Sequence, residues 1–366
     1  MITRRMLLAG GAALTGAALL PRSGRAQALF APQPGAWRNF QVVTRLEVVK
    51  TGGAAKGWVP LPAFSEADWF KPAGSTWTTN AASAKTVGDP AHGAQMLELE
   101  WAASEAAPVV EITSKFATRD RAVDLAKPGS AAALSDKDRA YYLAATDFIP
   151  TDGIVKQTSD KIVAGVNGDL EKTRAIYQWV VENTYRNAST RGCGVGDVAS
   201  LLKSGNLGGK CADINALFVG LVRAQGIPAR DVYGLRVAPS KFGYKSLGAN
   251  SDVVTKAQHC RAEVYLSGFG WVPTDPADVR KVILEEPPGK LAVDDAKVVA
   301  ARAALFGSWE GNWMAYNTGH DIALPGSSGP KLAFLMYPQA ETVAGRLDCL
   351  DPDTFRYSIK ATEISV

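Results

Sequence analysis

The sequence has 366 residues, of which 46% are hydrophobic and 21% charged, the composition of an ordinary globular protein. Its 40 basic and 36 acidic residues give a formal net charge of +4. Arg4, Arg5, Arg22 and Arg25 lie in an N-terminal segment with the features of a signal, so the predicted mature chain balances at 36 basic against 36 acidic residues. That balance gives no ground for nucleic-acid binding or for binding to an anionic membrane. A mature chain of about 340 residues predicts two or three domains.

The first residues have the pattern of a bacterial export signal. Arg4 and Arg5 precede an apolar run over 9–20, and Ala26-Gln27-Ala28 supplies an A-x-A cleavage site. The paired arginines resemble those of a twin-arginine signal. The run is too short to span a bilayer, and no cysteine follows it that could carry a lipid. We expect 1–28 to be a cleaved signal peptide, the protein to be periplasmic or otherwise exported, and the mature chain to have no integral membrane segment.

The segment 29–130 has the alternation of half-buried antiparallel strands. Leu97, Leu99 and Trp101 alternate with glutamates, and residues 110–116 alternate in the same way. This pattern predicts a β-sandwich-like N-terminal domain. The segment contains no constellation of catalytic side chains, and it could either support the core or recognise substrate.

Helical signals begin after residue 130. Ser135 precedes an acidic first turn, and Asp169 precedes a second helix with apolar residues on one face. Beyond 131–290, the sequence predicts an alanine-rich helix near 296–305 and late strands near 332–336 and 355–359. We expect these elements to form a C-terminal extension, residues 291–366, that packs on the core.

Cys211 is the first candidate catalytic residue. It follows the glycine turn Gly208-Gly209 and precedes apolar residues at helical spacing, namely Ile214, Leu217, Phe218, Leu221 and Val222. A thiol in the first turn of a helix lies at the positive end of the helix dipole, which favours the thiolate. The unpaired backbone N–H groups of that turn are suited to bind an oxyanion. We therefore predict that Cys211 is a nucleophile.

His259 is the best placed base for this nucleophile. It opens a predicted strand that a turn at Gly268-Phe269 connects to a returning strand ending at Asp275. A turn centred there pairs Leu266 with Trp271, which leaves His259 and Asp275 three positions off register. Their side chains can then meet at the open end of the hairpin. Cysteine, histidine and aspartate would provide attack, proton transfer and orientation of the imidazole.

The three candidates lie in segments that resemble the motifs of the transglutaminase-like superfamily, in the family's order. The segments are GGKCAD (208–213) with its helix to Arg230, HCRAEVY (259–265) and GWVPTDP (270–276). The resemblance covers about residues 150–285. It implies an α+β fold with a papain-like transglutaminase core, and a catalytic domain over 131–290. By the same resemblance Cys211 is the nucleophile, His259 the general base and acid, and Asp275 the residue that orients the imidazole.

The other cysteines leave alternatives open. Exported proteins form disulfides, but a catalytic Cys211 must stay reduced, so Cys193, Cys260 and Cys349 allow at most one bridge. Cys260 with Cys349 is one such pair. Cys193 either lines the site or fills its glycine-rich loop, and we favour the second. That loop lacks the Gly-Lys-Ser/Thr ending of a phosphate-binding loop.

Neither a metal nor a cofactor is expected from this sequence. The cysteines lack paired C-x-x-C spacing, and three scattered histidines make a metal-dependent hydrolase a weak alternative. His92 lies in a predicted surface turn. His320 stands beside Asp321, which is too close along the chain to orient its ring easily.

These residues predict an exported cysteine acyl-hydrolase or acyltransferase that acts on peptide or isopeptide amides through a thioester. Its partner would be a peptide or protein substrate, with cell-wall peptides suggested by the compartment alone. The long segment from Pro239 to Gln258 is a candidate rim of the substrate site. The alternative is a non-catalytic binding or structural module that retains the fold, although such modules usually lose one of the three residues.

Overall fold

The computed structural model describes residues 30–49, 52–353 and 355–365. The predicted signal peptide, 1–28, lies outside these ranges. Within them, no helix combines the length and the apolar character needed to cross a bilayer.

The N-terminal part of the chain is built from strands. They are β1 (Arg38–Val48), β2 (Ala55–Pro60), β3 (Phe70–Thr79), β4 (Ser83–Gly88), β5 (Gln95–Trp101), β6 (Val109–Thr118) and β7 (Arg121–Ala122). β3 and β1 both pair with β6 in one antiparallel sheet, and β5 pairs with β2 and β4 in a second. Alternate residues of the two sheets, among them Leu46, Leu99 and Ile112, pack in one hydrophobic cluster. The predicted β-sandwich is confirmed.

The middle of the chain contains the helices and the second sheet. Its elements are α1 (Asp136–Leu143), α2 (Gly153–Ile162), α3 (Asp169–Asn183), β8 (Tyr185–Arg186), α4 (Val198–Ser204), β9 (Gly208–Gly209), α5 (Cys211–Arg223), β10 (Ala229–Arg236), a 3-10 turn (Lys245–Leu247), β11 (Gln258–Leu266), β12 (Gly270–Thr274) and α6 (Pro276–Glu285). Every residue of α5 except Asp213 is buried, because the helix packs against β11 on one side and against α2, α3 and α6 on others. The helix is therefore apolar nearly all round rather than along a single stripe.

The hairpin of β11 and β12 has the predicted elements in a different register. Leu266 pairs with Gly270 and Ala262 with Thr274, one position away from the predicted pairing. The loop has three residues, 267–269, rather than the four of the predicted pairing, 267–270, and Gly268 lies at φ +80°. Three-residue hairpin loops of this kind need a residue with positive φ, which a glycine adopts at no steric cost.

The C-terminal part contributes to both regions. Its elements are α7 (Ala296–Ala304), β13 (Ser308–Trp309), β14 (Trp313–Asn317), β15 (Gln339–Thr342), β16 (Gly345–Arg346) and β17 (Phe355–Ile364). β14 pairs with β10 and completes a sheet of order β12-β11-β10-β14. β15 and β17 instead pair with β2 and β1 of the sandwich. The strand predicted near 332–336 is wrong, since Leu332 makes a single bridge to Ile322 and the strand begins at Gln339.

The predicted division of the chain at residues 130 and 290 stays a prediction. The strand pairing adds that the segment predicted as a C-terminal extension supplies strands to the sandwich as well as to the sheet beside α5.

Candidate active site

Cys211 is the first residue of α5, and the carboxylate of Asp213 fixes the chain around it. Asp213 Oδ1 accepts hydrogen bonds from the N–H groups of Val195 and Gly196, and Oδ2 accepts one from the N–H of Lys210 at 3.0 Å. A Cβ on Gly194 would lie 1.9 Å from Asp213 Oδ2, in a backbone at φ +95°. Glycine is required there because the loop of residues 192–196 must approach the helix so closely.

His259 is held at the start of β11. Its backbone carbonyl accepts a hydrogen bond from Trp313 Nε1 at 2.9 Å. Its ring donates from Nε2 to Asp275 Oδ2 at 2.7 Å. Because Nε2 is committed to Asp275, Nδ1 is the ring nitrogen left to exchange a proton with the Cys211 thiol, which His259 contacts.

Asp275 has two tasks. It is the N-cap of α6, where its Oδ1 accepts a hydrogen bond from the N–H of Asp278 at 3.0 Å. The same oxygen lies 3.3 Å from the donating Nδ2 of Asn215, which comes from the second turn of α5. Asn215 therefore links the helix that begins at Cys211 to the carboxylate that is bonded to the imidazole of His259. The three predicted residues are brought together, and all three are buried.

Sequence analysis missed a second carboxylate at His259. Asp278 Oδ1 lies 3.4 Å from His259 Nε2 and accepts a hydrogen bond from the buried Arg236. Arg236 also donates to the carbonyl of Leu247 at 2.6 Å. The sequence does contain a pattern that indicates Asp278. It follows Asp275 by three residues in a helix that begins at Pro276, and residues three apart lie on the same face of a helix.

The charges of the site favour a thiolate and an imidazolium. The neighbouring side chains of Cys193, Cys260 and His259 hold the pKa of Cys211 well below its ordinary value, although burial acts the other way. Burial and the nearby Arg236 lower the pKa of His259, but Asp278 and Asp275 outweigh both and raise it. Both shifts favour transfer of the proton from the sulfur of Cys211 to the ring of His259.

Comparison with known proteins agrees with the geometry. Residues 156–276 match the model of the Transglutaminase-like superfamily. A protein of Haemophilus influenzae, described as uncharacterized, is 39% identical over 326 residues, which cover 83% of this chain and 85% of that protein. The chain belongs to the transglutaminase-like superfamily.

Two solved structures resemble this transglutaminase-like protein. A proposed cysteine protease from Cytophaga hutchinsonii is 15% identical and aligns with a TM-score of 0.51, over 90% of this chain and 99% of that one. The periplasmic domain of TgpA from Pseudomonas aeruginosa is also 15% identical and covers 68% of this chain and 90% of that domain, with a TM-score of 0.33. At 15% identity, the alignment with the Cytophaga hutchinsonii structure shows a shared fold and does not show a shared function.

Cys193 lies beside Cys211 in this transglutaminase-like protein. Its thiol contacts Cys211 and donates to the carbonyl of Gln258 at 3.3 Å, and its own carbonyl accepts a hydrogen bond from the N–H of Ala212 at 3.0 Å. The prediction that Cys193 only fills its glycine-rich loop is therefore wrong. The spacing of residues along the sequence did not show that this loop folds over the start of α5. All four cysteines are free, so the considered pair of Cys260 with Cys349 is not formed.

The other two histidines lie elsewhere. His92 is half-buried, and its Nδ1 is 2.6 Å from the hydroxyl of Tyr141. His320 is buried, with its Nδ1 3.1 Å from the hydroxyl of Tyr233. Both line a separate cavity of about 600 Å³.

His259, Asp275 and Asp278 are close enough together to hold a metal ion. Their ligand atoms, however, are already bound: Asp278 Oδ1 to Arg236, Asp275 Oδ1 to Asn215, and Asp275 Oδ2 to His259. A cation would have to displace a guanidinium and an imidazole from a buried cluster, so these groups fit proton transfer better than metal binding.

A cavity of about 780 Å³ opens onto Cys211, Cys193 and His259. The predicted rim over 239–258 contributes Gly248 and residues 255–258 to its lining. The N–H of Cys211 makes no backbone hydrogen bond outside the helix in the described parts of the chain, whereas the next N–H, of Ala212, is bonded to the carbonyl of Cys193. The N–H of Cys211 is therefore the donor available to an oxyanion in this cavity.

Proposed function

We propose that the protein is an exported cysteine acyl-hydrolase or acyltransferase that cleaves or exchanges peptide or isopeptide amides through a thioester on Cys211. The observation that carries this proposal is the position of His259, which is bonded through Nε2 to Asp275 and lies close enough to Cys211 to lower the pKa of its thiol. A peptide substrate suits the adjoining cavity of about 780 Å³. The predicted export signal makes cell-wall peptides a natural substrate class.

The first half of the reaction uses the preformed ion pair. The Cys211 thiolate attacks the amide carbonyl carbon, a C–S bond forms, and the negative charge moves to the carbonyl oxygen. The N–H of Cys211 donates to that oxyanion. His259 then gives its Nδ1 proton to the amine nitrogen as the C–N bond breaks, which leaves a thioester and a neutral imidazole.

The second half regenerates the enzyme. His259 takes a proton from water or from an incoming amine, which attacks the thioester carbonyl and expels the Cys211 thiolate. Water yields hydrolysis, and an amine yields a new amide. Asp275 stays ionised throughout and stabilises the imidazolium.

Trapping the thioester tests the proposal. The protein is incubated with a mixed peptide library, and mass spectrometry then locates acyl adducts. We expect adducts on Cys211 in the native sequence and none in Cys211→Ala. Cys349→Ala, which removes another thiol of the same cavity, is the matched control and should retain the adducts.

Alkylation kinetics separate an enzyme from the alternative of a non-catalytic module. Iodoacetamide should modify Cys211 at pH values below the ordinary thiol pKa, and His259→Asn should remove that acid-side reactivity. Slow alkylation that His259→Asn leaves unchanged, with no acyl adduct from any peptide, would favour the non-catalytic module.

A further inference from the structure

The cavity at Cys211 is lined by basic side chains. Seven lysines and arginines face it, while none of its lining residues within the described ranges is an aspartate or a glutamate. The whole chain has nearly equal numbers, 40 basic against 36 acidic. A lining of one sign is therefore a local feature and does not follow from composition.

Four of these cations contact three carboxylates that do not line the cavity. Arg236 binds Asp278, and Arg191 binds Asp348 at 2.6 Å. Arg186 and Lys281 both contact Glu285. Four cations against three carboxylates leave one unit of positive charge, because Arg186 and Lys281 share Glu285.

The other three cations are Lys210, Lys256 and Arg356. None of them has a carboxylate within 4 Å in the part of the chain that the structure describes. Lys210 directly precedes the nucleophile, and Lys256 precedes His259 by three residues. Unpaired positive charge therefore stands at the approach to the sulfur and at the approach to the imidazole.

The positions of Lys256 and Arg356 are fixed by strand β17. The N–H of Val254 donates to the carbonyl of Ile359 at 2.8 Å, and the N–H of Ile359 donates to Thr255 Oγ1 at 2.9 Å. The segment that carries Lys256 is thus tied to the strand that carries Arg356. Together they form one edge of the cavity rather than two independent flexible charges.

We propose that the acyl donor is an acidic peptide, with carboxylates close to the scissile amide that bind Lys210, Lys256 and Arg356. This inference rests on the proposed function for the nature of the bond that is cleaved. Clefts lined by charge of one sign concentrate ligands of the opposite sign and raise their association rate. Because Lys256 and Arg356 are exposed, salt should screen part of the attraction.

Matched peptides provide the test. Pairs of reporter peptides share one scissile amide and differ in two flanking residues, Asp and Glu in one and Asn and Gln in the other. We expect kcat/KM to be about tenfold higher for the acidic peptide at low salt, with the ratio falling as salt rises. In the double variant Lys256→Gln, Arg356→Gln the ratio should approach one. Lys360→Gln, on the same strand and exposed but outside the cavity lining, should keep the ratio of the native sequence.

A binding measurement separates this inference from the proposed function. Fluorescence anisotropy with Cys211→Ala reports binding of each labelled peptide without turnover. Tight, salt-dependent binding of the acidic peptide without turnover by the native protein would keep the inference and remove the proposed function. Equal turnover and equal binding of acidic and neutral peptides would overturn the inference and leave the proposed function in place.

Discussion

Strand β11 carries two buried polar clusters, four residues apart. At its start, His259 lies between Asp275 and Asp278, with Arg236 behind them. Further along, Glu263 accepts hydrogen bonds from Arg121 and Arg230. Both clusters place ionised groups where water is largely excluded, yet we assign chemistry to only one of them.

The Glu263 cluster is closed. Glu263 Oε2 accepts from Arg230 Nε at 2.6 Å, Oε1 accepts from Arg121, and Arg230 also donates to Glu66 at 2.6 Å. The Arg230 guanidinium lies 4.0 Å from the ring centre of Trp271. Both oxygens of Glu263 already accept hydrogen bonds, and the Trp271 ring covers the Arg230 guanidinium, which leaves no room for a substrate. The cluster instead joins Glu66 and Arg121 to the central sheet through Glu263 and Arg230.

The His259 cluster is open on one side. One ring nitrogen is committed to Asp275, and the other faces a thiol at the wall of a cavity of about 780 Å³. The comparison teaches that buried charge alone does not indicate a catalytic site. A proton that can move, next to space for a substrate, is the reason that we propose chemistry for the His259 cluster and a structural role for the Glu263 cluster.

The largest expected effect is the loss of activity in Asp275→Asn. The amide keeps an oxygen for the N-cap of α6 but turns a donor toward Nε2, which stabilises the wrong tautomer of His259. The equivalent change in a Ser-His-Asp triad lowers kcat about 10⁴-fold, and we expect a loss of similar size, about 5.5 kcal/mol in the barrier. Steady-state kinetics on the best reporter peptide measure it.

Asp275→Ala is the informative partner of that variant. It removes the cap as well, so it should lose about 1 kcal/mol more stability than Asp275→Asn, measured by urea unfolding. Full turnover in either variant would remove Asp275 from the mechanism.

The Glu263 cluster should respond in the opposite way. Glu263→Ala leaves Arg121 and Arg230 buried without their carboxylate, which should cost about 3–5 kcal/mol of stability. The remaining folded protein should keep its kcat, because no group of the His259 cluster changes. Urea unfolding together with active-site titration of the folded fraction tests both statements.

An exposed ion pair provides the control for that variant. Glu111 lies 3.9 Å from Arg45 with both side chains nearly half exposed, so Glu111→Ala should change stability by less than about 1 kcal/mol. If Glu263→Ala lost a similarly small amount of stability, the Glu263 cluster would not be what joins Glu66 and Arg121 to the central sheet.

Sequence analysis identified the residues that a local pattern marks. Cys211 follows a glycine turn before a helix, and His259 and Asp275 are joined by one short hairpin, so their meeting needs little information from the rest of the chain. An error of one position in the hairpin register did not separate them, because both side chains lie near the open end. The burial of α5 on nearly all sides was harder to predict from the sequence, because it depends on the other elements that pack around the helix.

Pairing between distant segments left no local pattern. β1 and β17 pair from Asn39 with Ile364 onward, across almost the whole chain, and alternation alone cannot name a partner strand. For the same reason the sequence could not place Arg356 at the cavity of Cys211, which it reaches only because β17 joins the sandwich. Cys193 was visible as a residue, but its contact with Cys211 depends on the fold of a loop.

The smallest effect concerns Cys193 and tests whether the open cluster is tuned by its neighbours. Its thiol, which donates to the carbonyl of Gln258, can turn its proton to a thiolate on Cys211 and so helps to keep the pKa of Cys211 low. Cys193→Ala should therefore raise that pKa. A hydrogen bond to a charged group contributes about 1.5–3 kcal/mol, and a thiol is a weak donor. We therefore expect alkylation of Cys211 by iodoacetamide to slow about tenfold at acidic pH.

The sign of the pH dependence makes this prediction specific. Above the ordinary thiol pKa, Cys211 is ionised with or without its neighbour, so the two proteins should react at similar rates there. Cys349→Ala removes a thiol that lines the same cavity without contacting Cys211, and it should follow the native profile throughout. If Cys193→Ala left the rate of alkylation at acidic pH unchanged, His259, Cys260 and the helix dipole would suffice to stabilise the thiolate.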